Sequence, residues 1–130
     1  MTIIECISNL KNVCHAQGAN KDAIEAAEKK LNLHFAEEYC EYVSTYGVIS
    51  AKGTELTGII DSPRLNVADV TLKERELHAD FPLDMYVIEN VAIDGILMLQ
   101  KSDGSIYELH PNAKPVKQYN SLAEYLATRQ

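Results

Sequence analysis

Basic residues, aromatic residues and long hydrophobic runs are all scarce in this sequence. It has no tryptophan and two phenylalanines, and its 12 Lys and Arg are outnumbered by 19 Asp and Glu, which gives a formal charge of −7. The acidic residues are spread along the chain, so nonspecific binding to nucleic acids or anionic membranes is disfavoured, because nothing would neutralise the phosphates. A basic partner is favoured, although acidic residues spread over a surface also simply keep a protein soluble.

Targeting and membrane segments are also missing from the pattern. No window approaches the roughly 18 continuous apolar residues of a membrane span. The starting stretch MTIIECISNLKNVCHAQ has no basic segment followed by a long apolar run and a small-residue cleavage site. We therefore expect a soluble, cytoplasmic protein. The 130 residues are enough for one domain with a real core, so we expect residues 1–130 to form a single domain.

The residues that usually mark metal, disulfide or catalytic sites are few and unsuitably spaced. Three cysteines, none in a C-x-x-C pair, argue against a disulfide framework or structural zinc. Cys14 and His15 are adjacent, so on a helix they cannot face each other as a nucleophile and its base. Common phosphate-binding, acyl-transfer and zinc motifs are absent. We expect no metal, no cofactor and no enzymatic activity; a small enzyme with a Glu and His site assembled in three dimensions is the weaker alternative.

Apolar residues recur at helical spacing in the N-terminal part of the chain. A first helix is predicted from Ile3 to Cys14, with Gly18 beyond its end. Asn20 is placed to cap a second helix over residues 21–31, and FAEEYCEYVSTYG predicts a third that ends at Gly47. The part from Asp61 to Phe81 is the least informative, although NVADVTLKERELHADF could form a helix before Pro82.

Strand patterns follow in the second half. ELTGII predicts a short strand, bent at Gly58. Asp94-Gly95 and Asp103-Gly104 lie between apolar runs, where two-residue turns need positive φ, so they predict a three-stranded meander rather than calcium loops. In that register Met98 lies opposite Val91 and Leu109 on a face that also takes Glu89 and Gln100 and packs on the helices. The other face is mixed and could receive a partner; it carries Ile88, Asn90, Ala92, Leu97, Leu99, Lys101, Ile106, Glu108 and His110.

The end of the sequence adds an edge strand and a helix. VKQY follows two prolines, which blunt the start of an edge strand. In NSLAEYLATRQ, Ser121 and Glu124 have capping-box spacing, so a closing helix is predicted. The order of elements predicts an α+β fold, with N-terminal helices packed on one face of a mainly antiparallel sheet.

Several of these segments together resemble a known family. IEAAEKKLNLHFAEEYCEYVSTYG, with its Ala27-Glu28 pair and terminal Tyr46-Gly47, followed by LTGI, resembles the SUKH superfamily, whose members include many bacterial immunity proteins and a fungal cell-wall regulator. MYVIENVAIDGILMLQKSDGSIYEL is similar to its strand meander and SLAEYL to its closing helix, which leaves about 62–84 unmatched. Ala36 departs from the family pattern, where proline is common; proline there only presets helical φ.

The resemblance implies an α+β domain that binds and neutralises a cognate toxin, usually the C-terminal domain of a large secreted or contact-delivered protein and often a nuclease. We expect stoichiometric inhibition of a basic toxin domain by a monomer or weak homodimer, without direct contact to nucleic acid or membrane. The alternative is a non-enzymatic regulatory or scaffold module that binds a host protein. Polar residues in loops or on the mixed sheet face are the candidate toxin contacts: Glu55, Asp61, Asp84, Asn90, Glu108 and His110.

Overall fold

A computed structural model describes residues 1–129, which contain five helices and seven strands. The elements in chain order are α1 (Ile3–Ser8), β1 (Cys14–His15), α2 (Lys21–Leu31), α3 (Glu37–Tyr46), β2 (Ile49–Ala51), β3 (Thr54–Glu55), α4 (Val67–Leu77), β4 (Met85–Asn90), β5 (Leu97–Lys101), β6 (Ile106–Leu109), β7 (Val116–Tyr119) and α5 (Leu122–Ala127). The strands form two antiparallel sheets, ordered β1-β2-β3 and β4-β5-β6-β7. The predicted α+β class, the meander and the closing helix are confirmed.

Side-chain caps explain where most of the helices begin. The Asn20 side chain accepts a hydrogen bond from the backbone N–H of Ala23 at 2.8 Å, which starts α2 at the predicted residue. Asn66 accepts from two N–H groups in the first turn of α4, and Ser121 caps α5. The α4 cap lies in the segment where the sequence was least informative, and the helix suggested there is confirmed.

The first helix is shorter than predicted. It ends at Ser8, and the backbone then passes through a left-handed residue, Asn12, with φ of 56°. Cys14 and His15 form β1 instead of a last helical turn, and they pair with β2. Because the two-residue strand is held only by this distant partner, helical spacing of apolar residues could not distinguish it from a helix.

The four-stranded sheet is packed on both faces. One face meets α1, α2, α3 and α5 in the main core, to which it contributes Tyr86, Ile88, Met98 and Ile106. The opposite face is covered by α4 and the segment after it: Phe81 packs there with buried Val87 and Leu99. The prediction that the mixed face could receive a partner is therefore wrong, because Leu97 and Leu99 on that face are buried together with Phe81.

The turn geometry explains the error in the predicted faces. Asp94 and Gly95 both have positive φ, at 53° and 73°, as predicted. Met98 nevertheless lies opposite Glu89 rather than Val91, and an irregularity between Val87 and Glu89 puts Ile88 in the main core, so the predicted pairing of Met98 and the predicted face of Ile88 are wrong. Gly104 also has positive φ. However, the backbone carbonyl of Lys101 accepts from the N–H of Gly104 at 3.0 Å, and the N–H of Lys101 donates to the carbonyl of Ser105 at 3.0 Å, so the loop has three residues rather than two. The longer loop shifts the register of β6 by one residue, so Leu109 and Tyr107 move to the face of Leu97 and Leu99, while Ile106 and Glu108 move to the other.

A close backbone crossing joins the end of α3 to the segment between β3 and α4. Gly47 ends α3 with φ of 71°, and its carbonyl accepts from the N–H of Ile59 at 2.9 Å. Tyr42 lies beneath this crossing: its hydroxyl donates to the carbonyl of Thr57 at 2.7 Å and accepts from the N–H of Ile49 at 3.1 Å. The strand predicted over ELTGII is therefore wrong beyond Glu55: β3 ends there, and Gly58 is a point of close contact between two backbones rather than a bend within a strand.

Candidate functional site

A groove of about 310 Å³ lies between β3, the loop before α4, α4 itself and the end of β4. It is lined by Glu55, Thr57, Pro63, Arg64, Leu65, Val70, Lys73, Glu74, Asn90 and Ala92. Two of the residues predicted from the sequence, Glu55 and Asn90, meet here although they come from different sheets. This is the candidate site, which we call the α4 groove.

Two of the charged side chains that line the α4 groove, Glu55 and Arg64, are paired with each other. Arg64 Nη1 lies 2.6 Å from Glu55 Oε1, and Nη2 lies 3.2 Å from Oε2, which is a two-point contact between guanidinium and carboxylate. The hydrogen bonds from Arg64 hold the pKa of Glu55 below its usual value. Arg64 was not predicted from the sequence, since its nine-residue distance from Glu55 carries no local signal.

A buried carboxylate supports the β2–β3 hairpin from below. Glu89 is only 4% exposed, and its Oε2 accepts from the backbone N–H of Glu55 at 3.1 Å. Its other oxygen accepts from the Tyr125 hydroxyl and lies 3.4 Å from Arg129 Nη2. Burial and the adjacent Glu89 raise the pKa of Tyr125. Arg129 also donates to the carbonyl of Gly53 at 2.7 Å, so α5 and the hairpin are tied through one cluster.

A second internal cluster forms around Gln100, the other polar residue on the core-facing side of the four-stranded sheet. Gln100 is fully buried; its Nε2 donates to Glu38 Oε1 at 2.8 Å, and its Oε1 accepts from the Tyr86 hydroxyl at 2.7 Å. Glu38 also accepts from the backbone N–H of Leu122 at the start of α5. Burial raises the pKa of Glu38. Both Glu89 and Gln100 were placed on the core-facing side from the sequence, and the structure confirms that position.

The remaining candidate contacts lie apart from the α4 groove. Asp61 lines a separate groove of about 340 Å³. Asp84 is exposed and pairs with Lys101 at 3.7 Å. Glu108 and His110 contact each other at 2.9 Å on the side of β6 opposite to α4. The structure therefore brings four of the six predicted residues together as two pairs, and Asp61 and Asp84 each lie apart from the other candidates.

A known protein family matches almost the whole chain. The SUKH_5 family model, described as SMI1-KNR4 cell-wall, matches residues 2–129. The chain belongs to the SUKH family. SUKH domains are associated with immunity proteins and are generally non-catalytic, and the family suggests a protein partner such as a toxin. No curated protein matches the sequence.

The described part of this SUKH domain has neither a metal cluster nor a membrane-spanning helix. Among residues 1–129, no group of three or more His, Cys, Asp or Glu side chains is placed to hold a metal ion. Within the same residues, none of the helices has the length and hydrophobicity needed to cross a membrane.

Proposed function

We propose that this SUKH domain is a cytoplasmic immunity protein that binds a cognate toxin domain and inhibits it stoichiometrically. The toxin is a basic nuclease, and the immunity protein itself catalyses no reaction. The observation that carries the proposal is the family match over residues 2–129, because the SUKH family is associated with immunity proteins.

The charge of the chain supports a basic target. Its formal charge is −7. A nuclease presents positive charge near the cleft that holds its anionic substrate, so an acidic inhibitor is steered toward that cleft and complements it. Inhibition then follows from blocking the active site or the approach of the substrate.

The state of the acidic groups supports binding rather than catalysis. Glu55 is held by Arg64, and Glu89 is held by Tyr125 and Arg129. A general acid or base needs a pKa near the working pH and access to substrate. The Glu55 pKa is lowered instead, and Glu89 is buried below the hairpin.

The proposed toxin contacts are the six exposed or half-exposed polar residues predicted from the sequence. Glu55 and Asn90 present one pair at the α4 groove, and Glu108 and His110 present another on the opposite side of the sheet. Asp61 and Asp84 lie at further loops. A regulatory or scaffold module is the second candidate, which the cell-wall description of the matching family favours.

Co-expression tests the proposal directly. The toxin domain encoded next to this gene is expressed with and without the chain, growth is followed, and the dissociation constant of the purified pair is measured by calorimetry. We expect growth rescue and a 1:1 complex of nanomolar or tighter affinity; a non-cognate toxin domain serves as control. Absence of both rescue and complex would contradict immunity and would favour the regulatory module.

A further inference from the structure

The two Asp-Gly pairs of the sequence lie in loops with different surroundings. Asp94-Gly95 forms the tip of the β4–β5 turn, where residues 92–95 are all exposed. Asp103-Gly104 lies in the β5–β6 loop, where Gly104 is buried and the next residue, Ser105, is only 3% exposed. In an Asp-Gly pair the side-chain carboxyl group can react with the following backbone nitrogen, because glycine has no Cβ to obstruct the approach. The two pairs therefore share a reactive sequence but differ in how the fold holds it.

The first pair is held only by the backbone of its turn. The N–H of Ile96 donates to the carbonyl of Ile93 at 3.0 Å, and this bond closes the turn around Asp94 and Gly95. Within the described part of the chain, the Asp94 carboxylate has no hydrogen-bond or ion-pair partner, and the N–H of Gly95 has no acceptor. Asp94 also has φ of 53°, in the left-handed region that side chains disfavour. Both groups that would react are thus exposed and unbonded.

The second pair has both of its reacting groups bonded. Asp103 Oδ1 accepts from the N–H of Ser105 at 2.9 Å and also from the Ser105 hydroxyl. The N–H of Gly104 donates to the carbonyl of Lys101 at 3.0 Å. The hydrogen bonds from Ser105 hold the pKa of Asp103 below its usual value, which depletes the neutral acid from which water can leave. Attack of Gly104 on Asp103 therefore requires these bonds to break first.

We propose that Asp94 is a site of spontaneous isoaspartate formation and that Asp103 is protected from the same reaction. The backbone nitrogen of Gly95 attacks Cγ of Asp94. An N–Cγ bond forms, the bond from Cγ to the acid hydroxyl breaks, and the amide proton leaves with that hydroxyl as water. The product is a five-membered succinimide ring.

Water then opens the succinimide in one of two ways. Attack at the Cγ carbonyl restores aspartate, whereas attack at the backbone carbonyl of Asp94 leaves the main chain running through Cβ and Cγ, which is isoaspartate. One water is lost and one is gained, so the mass of the protein does not change. The reaction needs no oxidant, reductant or enzyme.

The product lengthens the backbone of a turn that is built for two residues. Isoaspartate adds one carbon to the main chain between Asn90 and Leu97, which are the last paired residues of β4 and β5. Asn90 and Ala92 also line the α4 groove. The reaction therefore changes the course of the backbone next to one edge of the candidate site.

Ageing of the intact protein tests the proposal. The protein is kept for several weeks at neutral pH, well below its unfolding temperature. Isoaspartate is quantified by methyl transfer from labelled S-adenosylmethionine with a protein isoaspartate methyltransferase, and it is located by electron-transfer fragmentation of proteolytic peptides. We expect it to accumulate roughly tenfold or more faster at Asp94 than at Asp103, because native hydrogen bonds protect only the second site.

The same protein in urea is the control for sequence alone. Neither loop is formed there, so we expect the two rates to come within severalfold of each other. Three results in the folded protein would each overturn the proposal: equal rates at the two sites, a faster rate at Asp103, or no isoaspartate at Asp94.

Two matched substitutions test the assignment to Asp94. Glutamate keeps the charge but would have to close a six-membered ring, which forms more slowly. Asp94→Glu should therefore remove most of the methyl-accepting signal of the aged protein, and Asp103→Glu should leave that signal nearly unchanged. The opposite result would place the reaction at the wrong pair.

A third variant tests why Asp103 is protected. Ser105→Ala removes the hydroxyl that bonds to Asp103 Oδ1. We expect it to raise isoaspartate at Asp103 severalfold and to leave the rate at Asp94 unchanged, with circular dichroism as the check of folding. An unchanged rate at Asp103 in the folded variant would show that the Ser105 hydroxyl is not what protects it, and would overturn that half of the proposal.

Discussion

Replacing Gly58 by alanine tests the backbone crossing that joins the end of α3 to the segment between β3 and α4. A Cβ at Gly58 would lie 1.9 Å from the carbonyl oxygen of Gly47, where ordinary contacts begin at 3.4 Å. The two backbones would therefore have to separate by about 1.5 Å. The obstacle is main chain, so no side-chain rotation can relieve it.

The magnitude follows from what the separation disrupts. Overpacking alone costs about 1–3 kcal/mol. Three backbone hydrogen bonds also hold the chain around Gly58. The N–H of Ile59 donates to the carbonyl of Gly47 at 2.9 Å, the N–H of Gly58 donates to that of Leu65 at 2.9 Å, and the N–H of Val67 donates to that of Gly58 at 2.8 Å. Weakening one or two of them adds about 1 kcal/mol each. We expect the free energy of unfolding to fall by about 2–5 kcal/mol, which is a large part of the stability of a domain of this size.

Urea unfolding followed by circular dichroism measures the loss, and Gly53→Ala is the matched control. Gly53 has φ of +77° and no atom within 4 Å of the added carbon, so alanine there carries only the left-handed backbone penalty of about 1–2 kcal/mol. At Gly58 the added carbon is crowded by backbone atoms, but φ is not positive, so alanine there carries no left-handed backbone penalty. If Gly58→Ala costs no more than Gly53→Ala, the crossing is not rigid and our account of it is wrong.

Two further predictions concern the buried polar contacts. Tyr42→Phe should lower the free energy of unfolding by about 2–4 kcal/mol, because it removes the hydroxyl that bonds to the buried backbone groups of Thr57 and Ile49. Tyr46 is half-buried at the end of α3, and Tyr46→Phe should change the free energy of unfolding by less than about 0.5 kcal/mol in the same urea assay. Burial raises the pKa of Glu38, so its contribution to stability is fully present below pH 4.5 and is lost as the pH rises through the folded-state pKa. Urea unfolding from pH 4 to 7 should show the unmodified protein losing stability relative to Glu38→Gln, and a pH-independent difference would contradict this.

Local signals explain which elements could be predicted. Asn20 capping α2 and Gly47 ending α3 are residues whose own chemistry marks a boundary, and both boundaries are where the sequence placed them. Asp94-Gly95 likewise takes the positive φ values that the turn needs. Such features depend on a few neighbouring residues, so a single sequence contains them.

Features that depend on distant partners could not be read in the same way. β1 is a strand only because β2 lies beside it, and the register of β6 depends on whether the loop at Gly104 has two or three residues. The α4 groove shows the same limit: Glu55 and Asn90 were selected individually as polar loop residues, but their shared groove depends on how α4 packs. Arg64 carried no motif and became visible only through its contact with Glu55.

The packing of α1 against α5 has a consequence for the order in which the protein is made. The Cys6 thiol in α1 donates to the carbonyl of Ala123 in α5 at 3.4 Å, across 117 residues of sequence. At about 5–20 residues per second, a ribosome needs roughly 6–23 seconds to synthesise that interval. During this time the buried face of α1 has no partner from α5, and Glu89 has no Arg129 beside it. The nascent chain therefore exposes apolar surface and an unpaired carboxylate until translation has passed α5, and the packed fold can form only after that delay.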